Sequence, residues 1–369
     1  MKFTTTREAL LEPLARTYSV IESRRTLPIL SNVLLATKNN VLSMTGTDME
    51  MELITSVELI DSKPGETTIS ARKFSEICRA LPTEAKISFT QEEGKAIIRS
   101  GNSRFVLSTL PVAEYPNSGT LTEGVRITEE QGNIRELIEL TQFAMANQDV
   151  RYWLNGLLLE ISKENIRAVA TDGHRLALAE LDADAGIDGD ILQVIVPRKG
   201  VVELSRMLGT GKNEIELCVG SNALQVEFLN TRFTTKLIDG RYPDYSGVLP
   251  TLPQCNKEML VEKELLRQTL IRSAVLCSDG YRSVKMVFDE GLLRISTRNM
   301  EQEEADDEIS IDYIGEPLEI RFNVTYLLEA VEAIPTKEIR MYFKDVSGSC
   351  LIKPVGREDC QYVVMPMKL

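Results

Sequence analysis

Apolar residues recur at the same offsets in three places along the chain. The first of these segments has apolar residues at Phe3, Leu10 and Leu14. Segments that begin at Ile127 and Met259 repeat that spacing. Each segment has the pattern of a short strand, a polar or acidic helix start and then an amphipathic helix. The pattern therefore predicts one strand–helix unit three times.

A second amphipathic helix follows in each third. Apolar residues spaced by three and four predict helices over 72–81, 198–208 and 324–334. An alternating strand comes after each helix. Each third then closes on an aromatic residue: Phe105, Phe233 and Tyr362. Corresponding positions lie about 124 to 132 residues apart, which indicates a triplicated chain.

Strand-like runs joined by turns lie between the two helices of each third. Each repeat is therefore predicted as an α+β domain, with two helices packed on antiparallel sheets of about eight strands in all. Linkers rich in Gly, Pro, Ser and Asn are expected near 115–125 and 243–257. The predicted domains are 1–122, 123–252 and 253–369.

Charge and cysteine usage narrow the function classes. The net charge of −13 over 369 residues argues against a protein that covers nucleic-acid phosphates with Lys and Arg. The first twenty residues have no apolar stretch suited to a signal peptide or a membrane span. The six cysteines form no C-x-x-C pair, so we expect a cytoplasmic protein without disulfides, metal or cofactor.

Seven segments add a specific resemblance: "TLPILSNVLL", "TGTDMEMEL", "QDVRYWLNG", "ATDGHRLAL", "PRKG", "FNVTYLL" and "YVVMPMKL". With the triplication, they resemble the bacterial sliding-clamp family, the beta subunits of DNA polymerase III, from Met1 to Leu369. The resemblance implies three clamp domains that form half of a six-domain ring, in a head-to-tail homodimer around duplex DNA. It also implies a processivity factor of the DNA polymerase III holoenzyme with no catalytic activity. A ring held by topology needs little direct affinity, which fits the negative charge.

The resemblance further implies positions that face DNA. The loop residues are Arg24, Gln148, Tyr152 and Trp153, with Arg25 beside Arg24. The basic residues of two helices that would line the ring are Arg72, Arg79, Arg198 and Lys199. The third such helix carries Glu329 and Glu332 and no base. From the sequence alone, ordinary solvated helix faces are the favoured interpretation of these basic residues, and only the resemblance favours contact with DNA. Trp153 is about equally compatible with a buried core.

His174 is the only histidine, and it lies in "VATDGHRLAL" beside Asp172 and Arg175. A histidine next to a carboxylate is suited to acid–base catalysis. Asp172 aligns with Asp48 of the first repeat, whereas Gly173, His174 and Arg175 occur in the middle repeat alone. No nucleophile elbow accompanies them. We therefore favour a binding site, with a hydrolase that uses Asp172 and His174 as the alternative.

The resemblance implies what this site binds. In the family, a hydrophobic pocket between the middle and C-terminal domains receives short peptides that end in Leu and Phe, from polymerases, the clamp loader and repair proteins. The matching positions are Leu154, Thr171, Gly173, His174, Arg175, Leu176, Pro243, Val248, Tyr326, Ser349, Val363, Val364, Met365, Pro366, Met367, Lys368 and Leu369. His174 and Arg175 would hold polar groups of the peptide. Gly247 stands where several relatives carry a larger, often basic residue, so one peptide contact is expected to be lost.

The resemblance also implies a dimer interface. Its positions are Lys73, Arg104, Phe105, Leu107, Val275, Leu276, Glu301, Glu303 and Glu304. The run 301–308 has six acids in eight residues, which is usually only a solvated loop, and in the family it faces the basic residues of the other subunit. Asn102 stands where a basic residue is common, so we expect a dimer that tolerates salt better.

The implied partners are double-stranded DNA, a second copy, the polymerase III alpha subunit, the clamp-loader delta subunit and other proteins with the clamp-binding motif, and no membrane. A three-domain scaffold that never encircles DNA is the further alternative.

Overall fold

Antiparallel strands dominate the computed structural model, which describes residues 1–21, 27–116, 119, 121, 123–187, 189, 191–277 and 282–367. The chain forms two compact units. The first comprises Met1–Gly132 and Val202–Leu237, and the second comprises Asn133–Val201 and Ile238–Leu369.

Six helices match the predicted pairs, two in each third of the chain. They are α1 (Arg7–Ser19), α2 (Ala71–Ala80), α3 (Gln131–Glu139), α4 (Arg198–Met207), α5 (Lys263–Ala274) and α6 (Val324–Ala333). Side chains fix several helix starts, because unpaired N–H groups of the first turn need acceptors. The Thr6 hydroxyl accepts from the Ala9 N–H at 3.3 Å, and Asn323 Oδ1 accepts from the Thr325 N–H at 2.9 Å.

The first unit contains one thirteen-stranded sheet. Its strands from the first third are β1 (Lys2–Thr6), β2 (Asn32–Lys38), β3 (Val41–Thr47), β4 (Met51–Glu58), β5 (Asp61–Lys63), β6 (Gly65–Ser70), β7 (Lys86–Glu92), β8 (Lys95–Ser100) and β9 (Ser103–Leu110). The others are β10 (Val125–Glu130), β15 (Glu214–Val219), β16 (Ala223–Phe228) and β17 (Thr231–Lys236). β17 pairs with β4, which joins strands from two repeats into one sheet.

The second unit contains a nine-stranded and a four-stranded sheet. The nine strands are β11 (Gly156–Ile161), β12 (Asn165–Thr171), β13 (Arg175–Asp182), β14 (Leu192–Pro197), β18 (Lys257–Glu262), β22 (Asp312–Ile314), β24 (Glu338–Phe343), β25 (Cys350–Pro354) and β26 (Cys360–Val364). The four are β19 (Ser283–Asp289), β20 (Leu292–Arg298), β21 (Glu304–Ser310) and β23 (Leu318–Asn323). β13 pairs with β26, so this sheet again joins two repeats.

The apolar periodicity of the sequence also predicts residues that form the core of the first unit. Phe3, Leu10, Leu14 and Phe74 are buried together in the first unit, where the rings of Phe3 and Phe89 stack with centroids 4.7 Å apart. The predicted α+β class, with two helices and eight or nine strands in each repeat, is confirmed. Within the described ranges, no helix has the length and apolar character that crossing a bilayer requires.

Candidate functional site

The Gly-His-Arg turn, residues 172–175, joins β12 to β13. Asp172 Oδ1 accepts from the backbone N–H of His174 at 2.9 Å and from that of Arg175 at 3.0 Å. The Thr171 hydroxyl donates to the Arg175 carbonyl at 2.6 Å and accepts from the Gly173 N–H at 3.1 Å. Gly173 has a φ of 88°, in the left-handed region that glycine adopts without strain. The hydrogen bonds of the turn therefore account for the Asp, and its left-handed residue favours the Gly.

Arg175 braces this turn, and its side chain is only 9% exposed. Nε donates to Asp172 Oδ2 at 3.2 Å, Nη1 to the Glu329 carboxylate, and Nη2 to the Phe143 carbonyl at 2.8 Å. The guanidinium also lies over the Phe143 and Tyr326 rings, 5.3 and 4.6 Å from their centroids. Three of its five N–H groups are thus bound within the chain. These contacts position the turn, and the expectation that Arg175 also holds polar groups of a peptide stays a prediction.

His174, by contrast, is exposed, and its ring stacks near that of Tyr326 with centroids 6.1 Å apart and planes 19° apart. The Asp172 carboxylate is directed at backbone N–H groups and at Arg175. Among the described residues, no carboxylate accepts a hydrogen bond from the imidazole. A catalytic His–Asp pair needs that bond to orient the ring. The geometry favours an aromatic binding surface over a hydrolase.

The last described residues complete the site beside the turn. In the β13–β26 pairing, Arg175 is opposite Val364 and Leu176 is opposite Val363. The Met365 N–H then donates to the His174 carbonyl at 2.9 Å, and the Met367 N–H donates to the Arg321 carbonyl at 2.8 Å. Met365, Pro366 and Met367 are half-buried. The structure therefore places the turn and residues 363–367 side by side, while Lys368 and Leu369 lie outside the described residues.

An apolar floor lies on the same face of the sheet. Leu154, Leu176, Val363 and Tyr242 belong to one buried cluster of the second unit. The Tyr242 hydroxyl accepts from the Thr171 N–H at 3.0 Å, which holds the segment 242–249 across the sheet. Burial raises the pKa of Tyr242, so this hydroxyl stays protonated at neutral pH.

The rim of the site is more accessible than the floor. Pro243 and Val248 are exposed, and Thr171, Ser349 and Tyr326 are half-buried. Gly247 is next to Val248, and a Cβ added at Gly247 would meet no atom within 4 Å. The space that a side chain at this position would fill is therefore open.

Arg151 is a site residue that the sequence analysis missed. Its guanidinium donates to both oxygens of Asp149, at 3.0 and 2.8 Å, and to the Asp172 carbonyl at 3.0 Å. A Cβ at Gly173 would lie 2.8 Å from Arg151 Nη1. Hydrogen bonds from Arg151 lower the pKa of Asp149 to about 2. Arg151 thus fastens the loop 148–153 to the turn, and the pairing of Arg with a nearby Asp in "QDVRYW" was the available signal.

The positions expected to face DNA are in differing environments. In the loop 148–153, Gln148 is exposed, Tyr152 is 52% exposed and Val150 is 95% exposed. Trp153 is half-buried against the apolar cluster, with its ring 5.0 Å from that of Tyr152. Trp153 is therefore partly in the core, and its contact with DNA stays a prediction. Arg24 and Arg25 lie outside the described residues.

The basic helix residues that are expected to face DNA differ in their exposure to solvent. Arg72 and Arg79 on α2 are exposed, and Arg72 Nε is 3.1 Å from Glu76. Arg198 and Lys199 are half-buried, and Arg198 Nη1 donates to the Met145 carbonyl at 2.9 Å. The acids of α6 have partners in the chain, because Glu329 pairs with Arg175 and Glu332 with Arg267. Their charges are therefore partly neutralised.

The expected dimer positions lie on α2, on β9 and β21, and in the segments that follow α5 and precede β21. Lys73 and Arg104 are exposed, while Phe105 and Leu107 of β9 are half-buried against the core of the first unit. Val275 is 75% exposed, and Leu276 is half-buried. Both follow the last residue of α5, so their expected place on that helix is corrected by one or two positions.

The acidic run is not simply a solvated loop, since its second half forms β21. Glu304 is 3.2 Å from Arg298, and Asp307 is 2.6 Å from Arg272. Glu303 accepts from Asn299 Nδ2 at 2.6 Å, whereas Glu301 is exposed in the preceding turn. Several acids are thus already paired within the chain.

Comparison with known proteins covers all three repeats. Sequence profiles of the DNA polymerase III beta subunit match as its N-terminal domain at residues 1–119, its central domain at 128–244 and its C-terminal domain at 247–368. The beta sliding clamp of Pseudomonas putida is 45% identical, and the alignment covers 100% of both chains.

Solved structures agree with the sequence comparison. The crystal structure of the DNA polymerase III subunit beta from Pseudomonas aeruginosa matches with a TM-score of 0.97 at 44% identity, over 100% of both chains. A clamp from the same organism bound to griselimycin matches with a TM-score of 0.95 at 44% identity, again over 100% of both chains. The chain belongs to the family of DNA polymerase III beta subunits, the beta sliding clamps.

Proposed function

We propose that this sliding clamp encircles duplex DNA as a head-to-tail homodimer and holds its partners through the pocket at the Gly-His-Arg turn. The observation that carries the proposal is the pairing of that turn with residues 363–367 over an apolar floor. An apolar cleft with few polar groups is the usual form of a peptide or ligand site. The griselimycin complex of the Pseudomonas aeruginosa clamp supports a ligand site in the family.

The pocket residues proposed for this role are those expected from the sequence, with Arg151 added. Met365 and Met367 suit a surface that accepts many related side chains, because thioethers are flexible and polarisable. His174 and Tyr326 would offer ring faces to the peptide. The partners proposed are the polymerase III alpha subunit and the clamp-loader delta subunit, in the cytoplasm.

Two strand edges support the dimer. β8 pairs along β9 from Ser103 to Ser108, while β6 meets only Thr109 and Leu110, so in the described chain no strand covers the other edge of 103–108. β21 is a terminal strand of its sheet. Exposed edges of this kind can pair with another chain. We infer that β9 of one copy meets β21 of the partner, with Arg104 facing the acids.

The ring accounts for DNA binding by a chain of net charge −13. Topological linkage needs only weak, sequence-independent contacts, which we assign to Gln148, Tyr152 and Trp153 with the basic residues of α2 and α4. The boundaries 1–122, 123–252 and 253–369 remain the proposed domain limits. No catalytic step is proposed.

Retention on DNA tests the ring directly. The protein is loaded on a nicked circular plasmid with its cognate loader and ATP, and retention is compared before and after one cut of the circle. Loss of the protein on linearisation is the expected result. Retention that is indifferent to the cut would mean ordinary surface affinity. A loader of proven activity on another clamp serves as the positive control.

Two variants separate this function from its alternatives. His174→Ala is expected to lose peptide binding, and a hydrolase would instead lose turnover that the parent possesses. Arg104→Glu should weaken the dimer about tenfold or more, because a like charge would face the acids of β21. Lys38→Glu, at an exposed strand end, is its matched control. Sedimentation of the parent as a stable monomer would favour the non-encircling scaffold.

A further inference from the structure

A groove of about 460 Å³ adjoins the candidate pocket on the same face of the nine-stranded sheet. Side chains two positions apart on a strand share a face. On β13, Leu176 belongs to the pocket and Leu178 lines the groove; on β26, Val363 and Gln361 are related in the same way. Pro243 is common to both. The groove is therefore a continuation of the pocket along the strands.

Charged side chains occupy the far end of the groove. Arg167 Nε donates to Glu180 Oε1 at 2.7 Å, and Arg167 Nη1 donates to Glu160 Oε2 at 3.3 Å and to the Tyr245 hydroxyl at 3.1 Å. Glu160 also accepts from Gln193 Nε2 at 2.7 Å and from the Tyr245 hydroxyl. The Glu160 carboxylate, which is 9% exposed, is thus fully engaged by its neighbours.

Glu180 differs from Glu160 because part of its carboxylate is unused. Its side chain is 36% exposed, and within the described chain its Oε2 accepts no hydrogen bond. Two carboxylates share the single guanidinium of Arg167, which leaves one negative charge in excess. Arg241 and Asp244, which also line the groove, carry opposite charges. Glu180 is therefore the open acceptor on β13, the strand that also carries Leu176 of the pocket.

The spacing between the two ends suits an extended peptide. Leu176 and Glu180 are four positions apart on one strand, which is about 13 Å at roughly 3.3 Å per residue. A bound peptide in extended conformation covers the same distance with about four residues. An apolar side chain in the pocket would place a residue about four positions away beside Glu180.

We propose that the groove binds the segment that flanks the apolar motif of a partner peptide and selects a lysine or arginine there through Glu180. The inference rests on the proposed function of the pocket. It adds a second determinant of partner choice: the pocket takes the apolar residues, and the groove distinguishes among partners by the charge of the flanking residue.

Fluorescence anisotropy with labelled synthetic peptides tests the proposal on the full-length dimer. A core peptide that ends in Leu and Phe is compared with versions extended by four residues at either end, with Lys or Glu as the outermost residue. At the end that enters the groove, the Lys version should bind about three-fold tighter than the Glu version, the range expected of a half-exposed ion pair.

Variants assign that difference to Glu180. Glu180→Gln should abolish the Lys preference and leave the core peptide affinity unchanged, and Gln361→Glu should increase the preference. Glu290→Gln, at an exposed turn of the same unit, controls for the loss of one negative charge. Thermal unfolding of each variant checks that the fold is intact.

The outcomes separate this inference from the function on which it rests. If the core peptide binds and neither extension shows a Lys preference, or if Glu180→Gln keeps that preference, the groove proposal is overturned. A tighter Glu version would assign the groove to acidic segments and overturn it as well. If the core peptide fails to bind at all, the proposed function of the pocket fails first.

Discussion

The turn after β3 in the first unit and the turn after β12 in the second are built alike and differ in use. Asp48 Oδ1 accepts from the N–H groups of Glu50 and Met51 at 2.9 and 2.7 Å, just as Asp172 does from His174 and Arg175. In both turns a Thr hydroxyl donates to the carbonyl of the next strand's first residue.

The strands beside the two turns correspond as well. Met51 is opposite Thr235 in the β4–β17 pair, and Arg175 is opposite Val364 in the β13–β26 pair. The backbone N–H of Lys236 then donates to the Glu50 carbonyl at 2.9 Å, as the backbone N–H of Met365 does to the His174 carbonyl. The two copies therefore share the backbone of the turn and its strand pairing, and they differ in their side chains.

The residues that differ between the two turns are the ones specific to the candidate site. Where the second unit has Gly173, His174 and Arg175, the first has Met49, Glu50 and Met51. Met49 occupies the left-handed region with a φ of 77°, so the glycine is not obligatory for the backbone. The Gly leaves room for Arg151 in the second unit. Exchanging residues between the two turns is therefore the sharpest way to test this comparison.

The largest effect is expected from Arg175→Met, which brings the residue of the first turn into the second. It leaves the partly buried carboxylates of Asp172 and Glu329 without their shared cation, so the free energy of unfolding should fall by about 3 kcal/mol. Denaturant unfolding measures this. A loss below about 0.5 kcal/mol would mean that the brace is dispensable.

Gly173→Ala should have the next largest effect. An L residue at this φ is strained, and its Cβ would push Arg151 away from the Asp172 carbonyl. The free energy of unfolding should fall by about 1 to 2 kcal/mol, with weaker peptide binding. The cost should be smaller in an Arg151→Ala background. Equal costs in both backgrounds would show that Arg151 and Gly173 are independent.

Met49→Gly makes the reverse exchange, and a smaller change is expected. Glycine relieves the left-handed strain but increases the entropy of the unfolded chain. The free energy of unfolding should therefore rise by about 0.5 kcal/mol. Urea unfolding of the variant and of the parent shows whether the free energy of unfolding rises or falls. A clear destabilisation would mean that the Met49 side chain, which is 46% exposed, contributes more by packing than its backbone costs.

The smallest effect concerns pH. The folded pKa of Asp149 is about 2, below the ordinary value near 4, because Arg151 and the backbone N–H of Arg151 donate to it. Its contribution to stability is therefore complete above about pH 4 and is lost as the pH falls through about 2. The fluorescence of Trp153, the only tryptophan, should stay constant from pH 7 to 4. An inflection near pH 4 that Asp149→Asn removes would contradict this.

Local patterns in the sequence predict the repeats and the helices. The periods of three and four predicted α2, α4 and α6 to within one residue at each end, because a helix signals its buried face locally. The partner of Arg175 could not be found in this way, since Glu329 is 154 positions away and was noted only as an acid on a helix face. The bracing role of Arg175 depends on a contact that no local pattern encodes.

The β13–β26 pair also has a consequence for how the protein folds. Its two strands come from distant parts of the sequence, while hairpins such as β11–β12 and β12–β13 join neighbours. Closing a long chain segment costs entropy before any contact repays it, so local hairpins form first. The floor of the pocket requires both strands. Recognition of partners is therefore expected to appear late in folding, and a half-folded chain with intact hairpins would not yet compete for them.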